Sequence, residues 1–238
     1  ATGRGVMNIV EELIEEKKWL PSDMRVVVQG FGNVGSWAAY LLKERGCKIV
    51  AISDISGGYY NVKGIDIKKA ITHRNENKGS LENFKGGDKI SNEELLSLKV
   101  DVLIPAAMED AITKQNANEV KAKFIVEGAN GPTSFGADDI LKQNDIIAVP
   151  DILANVGGVI VSYFEWVQNR LGYKWTKNRV NRRCDSIIKQ GFNNVYSISK
   201  KYEVPLRIAA YILAIDKVSR TYKYRDGSFT FQKNDKNS

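Results

Sequence analysis

The run Gly30-Phe31-Gly32-Asn33-Val34-Gly35 places three glycines at a spacing suited to holding a diphosphate against the main chain. The spacing alone is a weak signal, since G-x-G-x-x-G arises by chance in many chains. Here it follows the apolar stretch Val26-Val27-Val28 and opens a helical pattern, which is the context the chemistry requires. Gly30 permits a sharp turn, Gly32 leaves room for a pyrophosphate to approach the backbone, and Gly35 lets the helix pack close to the strand. The helix start then offers free N–H groups and a positive dipole end to the phosphates. Asp54, 19 residues beyond Gly35, ends the next β-branched stretch. An acid at that point hydrogen-bonds adenosine ribose hydroxyls and disfavours the extra phosphate of NADP, so NAD is the expected cofactor and dual use stays open. The plain alternative is a tight strand–helix turn with Asp54 as a local cap.

Other chemistries find little support. A single histidine, His73, leaves no basis for a histidine metal site or a Ser-His-Asp triad, and it lies in a polar stretch that reads as surface. Cys47 and Cys184 are far apart and read as free thiols of a reducing, cytoplasmic setting; no metal site is expected. No apolar run approaches the ~20 residues of a membrane helix, and the N-terminus lacks a signal-peptide layout. The chain has no initiator Met and reads as starting inside a longer polypeptide. Its formal charge of +7 is uneven: residues from Leu171 onward hold 15 Lys/Arg against 5 Asp/Glu. A nucleic-acid surface is one reading of that excess. With no accompanying motif and the charges scattered among apolar residues, a solvated face or a surface meeting an acidic domain is the preferred one.

The elements that must position the turn alternate between two periods. Asn8 to Trp19 reads as a helix, Arg25 to Gln29 as a buried strand, Ser36 to Arg45 as a helix closed by Gly46, and Lys48 to Ser53 as the second strand. Gly57 to Val62 reads as a small hairpin, Asp66 to Arg74 as a helix, and Asn75 to Asp88 as loop. Ser91 with Glu94 forms a capping box. Further strands are expected at Asp101 to Ile104 (halted by Pro105), Lys123 to Glu127 and Asp145 to Val149, each after a helical segment. Such alternation predicts an α/β fold with a parallel, doubly wound sheet of Rossmann type. From about Ile152 only helices follow: Val156 to Leu171, Asn178 to Lys201 and Pro205 to Tyr224, then a polar, frayed tail from Ser228. The expected division is a linker helix over 1–20, a dinucleotide-binding domain over 21–170 and a helical segment over 171–238.

At this point the residues resemble a known family. The turn Gly30 to Gly35 looks like that of the glutamate, leucine, phenylalanine and valine dehydrogenases. So do Ala1-Thr2-Gly3-Arg4-Gly5-Val6, Ile104-Pro105-Ala106-Ala107 and Arg207-Ile208-Ala209-Ala210-Tyr211. Glu127-Gly128-Ala129-Asn130-Gly131-Pro132-Thr133 and the stretch from Pro150 to Trp166 are similar to the glutamate dehydrogenase form in particular. The resemblance implies that Asn33 and Val34 contact the pyrophosphate, that Asp54 and Ile55 hold the adenosine side, and that Ala106 and Ala107 line ribose and adenine. It implies Asn130 at the nicotinamide ribose, Asn155 at the nicotinamide end, Thr2 nearby, and Val159 and Ser162 facing substrate, with Ser162 hydrogen-bonding the side-chain carboxylate of glutamate. Thr2 and Ser162 could instead be caps or surface hydroxyls, and Asn130 and Asn155 left-handed turn residues. Gly157-Gly158 could be a helix start without a ligand, and Trp166 reads as core or interdomain packing.

The family's catalytic lysine and general-base aspartate belong to an N-terminal substrate domain, and no motif for them occurs here. No catalytic residue is therefore expected in this chain, which supplies one wall of a cleft and is expected to be inactive alone. The full-length protein is expected to deaminate L-glutamate to 2-oxoglutarate as a homo-oligomer, a hexamer by resemblance. A leucine-, phenylalanine- or valine-type enzyme and a stand-alone regulatory NAD-binding module are the alternatives. One departure stands out: where the family continues with threonine and proline, this chain has Ser134-Phe135-Gly136.

Overall fold

In the computed structural model, which describes residues 1–225, the apolar run Val26–Val28 forms the centre of strand β1 (Arg25–Gln29). Six further strands follow: β2 (Lys48–Asp54), β3 (Gly57–Tyr60), β4 (Asp88–Ile90), β5 (Val102–Pro105), β6 (Phe124–Val126) and β7 (Ile147–Val149). They join in one sheet of order β4-β3-β2-β1-β5-β6-β7. Strands β2, β1, β5, β6 and β7 are mutually parallel, while β3 runs antiparallel to both β2 and β4. The doubly wound α/β sheet is thus as expected, with an antiparallel edge added.

The helices are α1 (Thr2–Lys17), α2 (Asn33–Glu44), α3 (Ile67–Glu76), α4 (Asn92–Leu96), α5 (Phe135–Gln143), α6 (Asp151–Ala154), α7 (Gly157–Leu171), α8 (Lys177–Tyr202) and α9 (Leu206–Arg225). The capping box of Ser91 and Glu94 is present, and Asp66 caps α3 by accepting from the Lys69 N–H. The polar tail from Ser228 lies outside the described residues.

Several boundaries moved for identifiable reasons. Helix α1 begins at Thr2 rather than Asn8, and its first turn carries Gly3 and Gly5 where the helix packs closely on other segments. A Cβ on Gly3 would stand 2.6 Å from the Val34 carbonyl oxygen, and one on Gly5 2.9 Å from that of Ala154. The residues expected to form a hairpin over 57–62 supply only β3, whose partners are β2 and β4. Strand β6 is preceded by a single turn of 3-10 helix, Ala117–Glu119, and not by an α-helix. Pro105 falls inside β5 as its last residue, where its carbonyl oxygen accepts from both Gly128 and Ala129 N–H groups.

Alternation along the strands divides the core. Val26, Val28, Val102, Ile104, Phe124 and Val126 face α1, α2 and α8, while Val27, Leu103 and Ile125 face α4 and α5. In β2 the alternation is broken by a bulge: Val26 pairs with Ile49 and Val27 with Ala51, so Val50 is the extra residue. Ile49 and Ile52 consequently share a face although they are an odd number of residues apart. Helix α8 buries Cys184, Ile188, Phe192 and Val195 in the same cluster as α1. The two helices are also tied by Arg4, whose Nε and Nη2 donate to Asp185 at 2.7 and 2.6 Å.

Candidate dinucleotide-binding site

Strand β1 hands over to the glycine turn at the sheet centre, where the chain goes to β2 on one side and β5 lies on the other. Clefts that bind nucleotides form outside the carboxyl ends of strands at such a reversal. The three glycines are used in three ways. Gly30 has φ +88°, and a Cβ there would come within 2.7 Å of Ala107 backbone atoms, so its absence lets the loop after β5 close on the turn. A Cβ on Gly35 would stand 2.1 Å from the Gly30 carbonyl oxygen, so glycine is required for α2 to start there. Around Gly32 no atom outside its immediate chain neighbours lies within 4 Å of the Cβ position. The protein's own packing therefore makes no demand for glycine at 32. Gly30 and Phe31 donate both N–H groups to the Ser53 carbonyl oxygen, at 3.0 and 2.6 Å, which ties the turn to β2. No side chain caps the amino end of α2, where Asn33 and Val34 begin the helix.

A cleft of about 620 Å³ opens over this turn, lined by Gly30, Phe31, Gly32, Asp54, Ile55, Ala106 and Ala107. Residues from the stretch read as loop line it too, among them Lys78, Gly79 and Ser80, with Arg74 from α3. Phe31 contributes backbone only in effect, since its ring is buried in the core. Ile55 is almost fully exposed. Among the described residues, four buried side-chain polar atoms lack a hydrogen-bond partner, and three of them (Gln29 Oε1, Ser53 Oγ and Arg74 Nε) belong to residues of this cleft. Buried polar atoms are normally satisfied, so their concentration here fits a polar ligand with hydroxyls and phosphates. A wider groove of about 1050 Å³ beside α3 is lined by residues of mixed charge such as Asp66, Lys68, Lys69 and Glu76 and includes none of the expected ligand residues.

Asp54 stands at the tip of β2 as anticipated, but its carboxylate is already engaged. Oδ1 accepts from the Ser56 N–H and hydroxyl at 2.8 and 2.6 Å, and Oδ2 from the Leu81 N–H at 2.5 Å. It organises the turn after β2 and pins the loop after α3, so the local-cap reading holds alongside any contact with ribose. Arg74 and Lys78 bring positive charge to the same cleft. Neither was singled out from the sequence, which reads Arg74 as the end of a helix and Lys78 as part of a polar loop; the left-handed turn at Lys78 (φ +49°) and Gly79 (φ +89°) is seen only in the folded chain.

The remaining expected residues gather elsewhere on the same edge. The Asn155 amide nitrogen donates to Asn130 Oδ1 at 2.6 Å and to the Ala129 carbonyl at 3.3 Å. Neither asparagine has positive φ; Gly131 takes the left-handed turn instead, with φ +56°. Thr2 does not cap α1: its hydroxyl lies where a Cβ on Gly158 would approach to 2.6 Å, which joins the first residue of α1 to the start of α7. Val159 and Ser162 are exposed within α7, so Ser162 is not a cap. Trp166 is exposed and stacks on Tyr163 with ring centroids 5.9 Å apart, which places it on the surface of this chain and not in its core. None of these residues lines the 620 Å³ cleft. Helix α5 forms from Phe135 despite the departure at 134–136, with Phe135 exposed. Glu127 and Arg207, quoted above only within longer segments, form a buried ion pair; nothing local in the sequence marks two residues 80 positions apart as partners.

No helix among the described residues is long and apolar enough to cross a membrane. Comparison with known proteins places this arrangement. A glutamate dehydrogenase of Thermotoga maritima is 48% identical over 226 residues, covering 94% of this chain and 54% of that protein. An NAD-specific glutamate dehydrogenase of Bacillus subtilis is 40% identical over 225 residues, covering 94% of this chain and 52% of that protein. Among solved structures, the hetero-hexameric glutamate dehydrogenase of Thermus thermophilus superposes with a TM-score of 0.87 at 30% identity, over 94% of this chain and 53% of that one. The chain thus spans about half the length of the relatives it matches. Residues 1–226 match the model of the Glutamate/Leucine/Phenylalanine/Valine dehydrogenases, and the chain belongs to that family.

Proposed function

We propose that this chain is the dinucleotide-binding half of an NAD-using glutamate dehydrogenase, which converts L-glutamate to 2-oxoglutarate and ammonia. The observation that carries the reading is Gly32: a glycine in open space, at the uncapped start of α2, beside a cleft that gathers unsatisfied buried polar atoms. In this reading the α2 amides of Asn33 and Val34 bind the pyrophosphate, Asp54 and Ile55 flank the adenosine ribose, and Ala106 and Ala107 lie against ribose and adenine. Asn130, Asn155 and Thr2 orient the nicotinamide end. When bound, the nicotinamide supplies the hydride-transfer chemistry. The part of the protein is to hold that ring over substrate and to exclude water, with Val159 and Ser162 on the substrate side.

A carbonyl-polarising lysine and an acid–base group come from a second domain in this proposal, and the exposed apolar residues Val159, Tyr163 and Trp166 of α7 are the surface that meets it. The complete protein assembles as an oligomer, as the hexameric relative does. NAD is preferred over NADP because the Asp54 carboxylate faces the adenosine side, and the NAD-specific Bacillus relative supports this. Isothermal titration of the 238-residue chain with NAD and NADP, alongside glutamate turnover by the complete protein, tests the reading. Binding of NAD without turnover by the chain alone is expected; failure to bind either dinucleotide overturns it.

A further inference from the structure

Helix α9 lies outside the sheet, yet one of its side chains reaches the loops at the proposed nicotinamide end. Arg207 Nη2 and Nη1 donate to Glu127 Oε1 and Oε2 at 2.6 and 3.3 Å, and Nε donates to Asp138 Oδ2 at 2.9 Å. Glu127, just past β6, has no exposed surface. Burial pushes its carboxyl up from the ordinary carboxylate range, and Arg207 opposes that push. A paired carboxylate so placed cannot lose its partner cheaply, since an uncompensated buried charge remains.

From Glu127 the connection continues in two hydrogen bonds. Glu127 Oε2 also accepts from the Asp151 N–H at 2.8 Å, which fixes the first residue of α6. Asp151 Oδ2 accepts from the Gly131 N–H at 2.8 Å, and its Oδ1 lies 4.0 Å from Arg207 Nη1. The loop from Glu127 to Gly131 is therefore held to α6 at one end by the two acids and at the other by Asn155, which binds Ala129 and Asn130. The guanidinium is the only cation that contacts this ring of groups among the described residues.

We propose that Arg207 is a positioning residue for the nicotinamide half of the dinucleotide. Acting through Glu127 and Asp151, it sets where the Asn130 and Asn155 carboxamides stand, and it touches no ligand itself. The inference rests on the dinucleotide reading above. It assigns the returning C-terminal helix a role in cofactor geometry in addition to packing. The glycine-turn and adenosine-side residues Gly30, Gly32, Asp54, Ile55, Ala106 and Ala107 line the cleft over the turn, which Arg207 does not line. The two halves of the ligand are thus held by different parts of the fold and can be perturbed separately.

The test compares NAD with ADP, which carries the adenosine and diphosphate but lacks the nicotinamide riboside. Both are titrated calorimetrically into the wild-type chain and the Arg207→Gln variant. The variant is expected to lose about tenfold in NAD affinity, one power of ten in Kd, while its ADP affinity stays within about twofold. Arg207→Lys, a point charge that cannot bridge Glu127 and Asp138 as the planar fork does, is expected to fall between. A role in packing alone would lower NAD and ADP affinity together, and that result overturns the proposal, as does an unchanged NAD affinity. Should Arg207→Gln fail to fold, Asp151→Ala breaks the same path beyond the buried pair and is held to the same criterion. A wild-type chain that binds ADP but not NAD, or neither, removes the underlying reading itself; a wild-type chain that binds NAD with an indifferent Arg207→Gln variant removes only this inference.

Discussion

Replacing Gly32 by valine separates the needs of the fold from those of the ligand. Gly32 has φ −81° and ψ −154°, a conformation open to other residues, and no atom outside its immediate chain neighbours lies within 4 Å of its Cβ position. Two small effects act on stability. A side chain reduces the freedom of the unfolded chain and favours folding by about 0.4–1 kcal/mol. Losing glycine at a helix N-cap for an aliphatic residue disfavours it by about 0.5–1 kcal/mol. They nearly cancel, so the thermal midpoint is expected to move by only a few degrees. The ligand sees a different surface: the isopropyl group fills the space in which a pyrophosphate would meet the α2 amides. A loss of at least about 100-fold in NAD affinity, close to 2.7 kcal/mol, is expected in calorimetric titration of the folded variant. The neighbouring glycines provide the contrast. Gly35→Ala must displace the Gly30 carbonyl, 2.1 Å from its Cβ, and is expected to destabilise by at least about 2 kcal/mol. A Gly32→Val variant that melts like wild type and binds NAD equally well refutes the reasoning, because glycine would then serve neither packing nor ligand.

Asp54→Ala removes the acceptor for the Leu81 and Ser56 N–H groups. It is expected to lower stability by about 1–3 kcal/mol and to narrow the ratio of NAD to NADP affinity, read by chemical denaturation and by titration with both. Burial, with Glu11 adding to it, pushes the Cys47 thiol up to about 11 from 9.0. The folded state thus holds its proton more tightly than the unfolded one. The associated stability is complete below pH 9 and is lost as pH rises towards 11, by about 2 kcal/mol. Urea midpoints of wild type and Cys47→Ala compared at pH 8 and pH 11 check this; equal alkaline losses in the two would show that the thiol contributes nothing.

What could be read along the chain was whatever depends on near neighbours. The strand–turn–helix around Gly30 to Gly35, the capping box at Ser91, and the strands at β1 and β2 all appeared at or near their expected places, because hydrophobic period and backbone freedom act over a few residues. The place of Asp54 at the end of β2 was legible along the chain. Its commitment to Leu81 was not, since that bond depends on a loop 27 residues away folding back.

Four features were decided only by the closed tertiary structure. The Val50 bulge re-phases β2, and the antiparallel edge of β3 and β4 depends on which strand ends meet. The early start of α1 depends on Val34 and Ala154 arriving beside Gly3 and Gly5. The clamp of Arg207 on Glu127 joins groups 80 residues apart. By itself the sequence determined the strand–turn–helix form around Gly30 to Gly35, because glycine conformation and side-chain period are local properties of the chain. Which polar groups are left free within that site, and which are pinned by distant partners, was set by packing, since a buried charge acquires its partner only when separate segments come together.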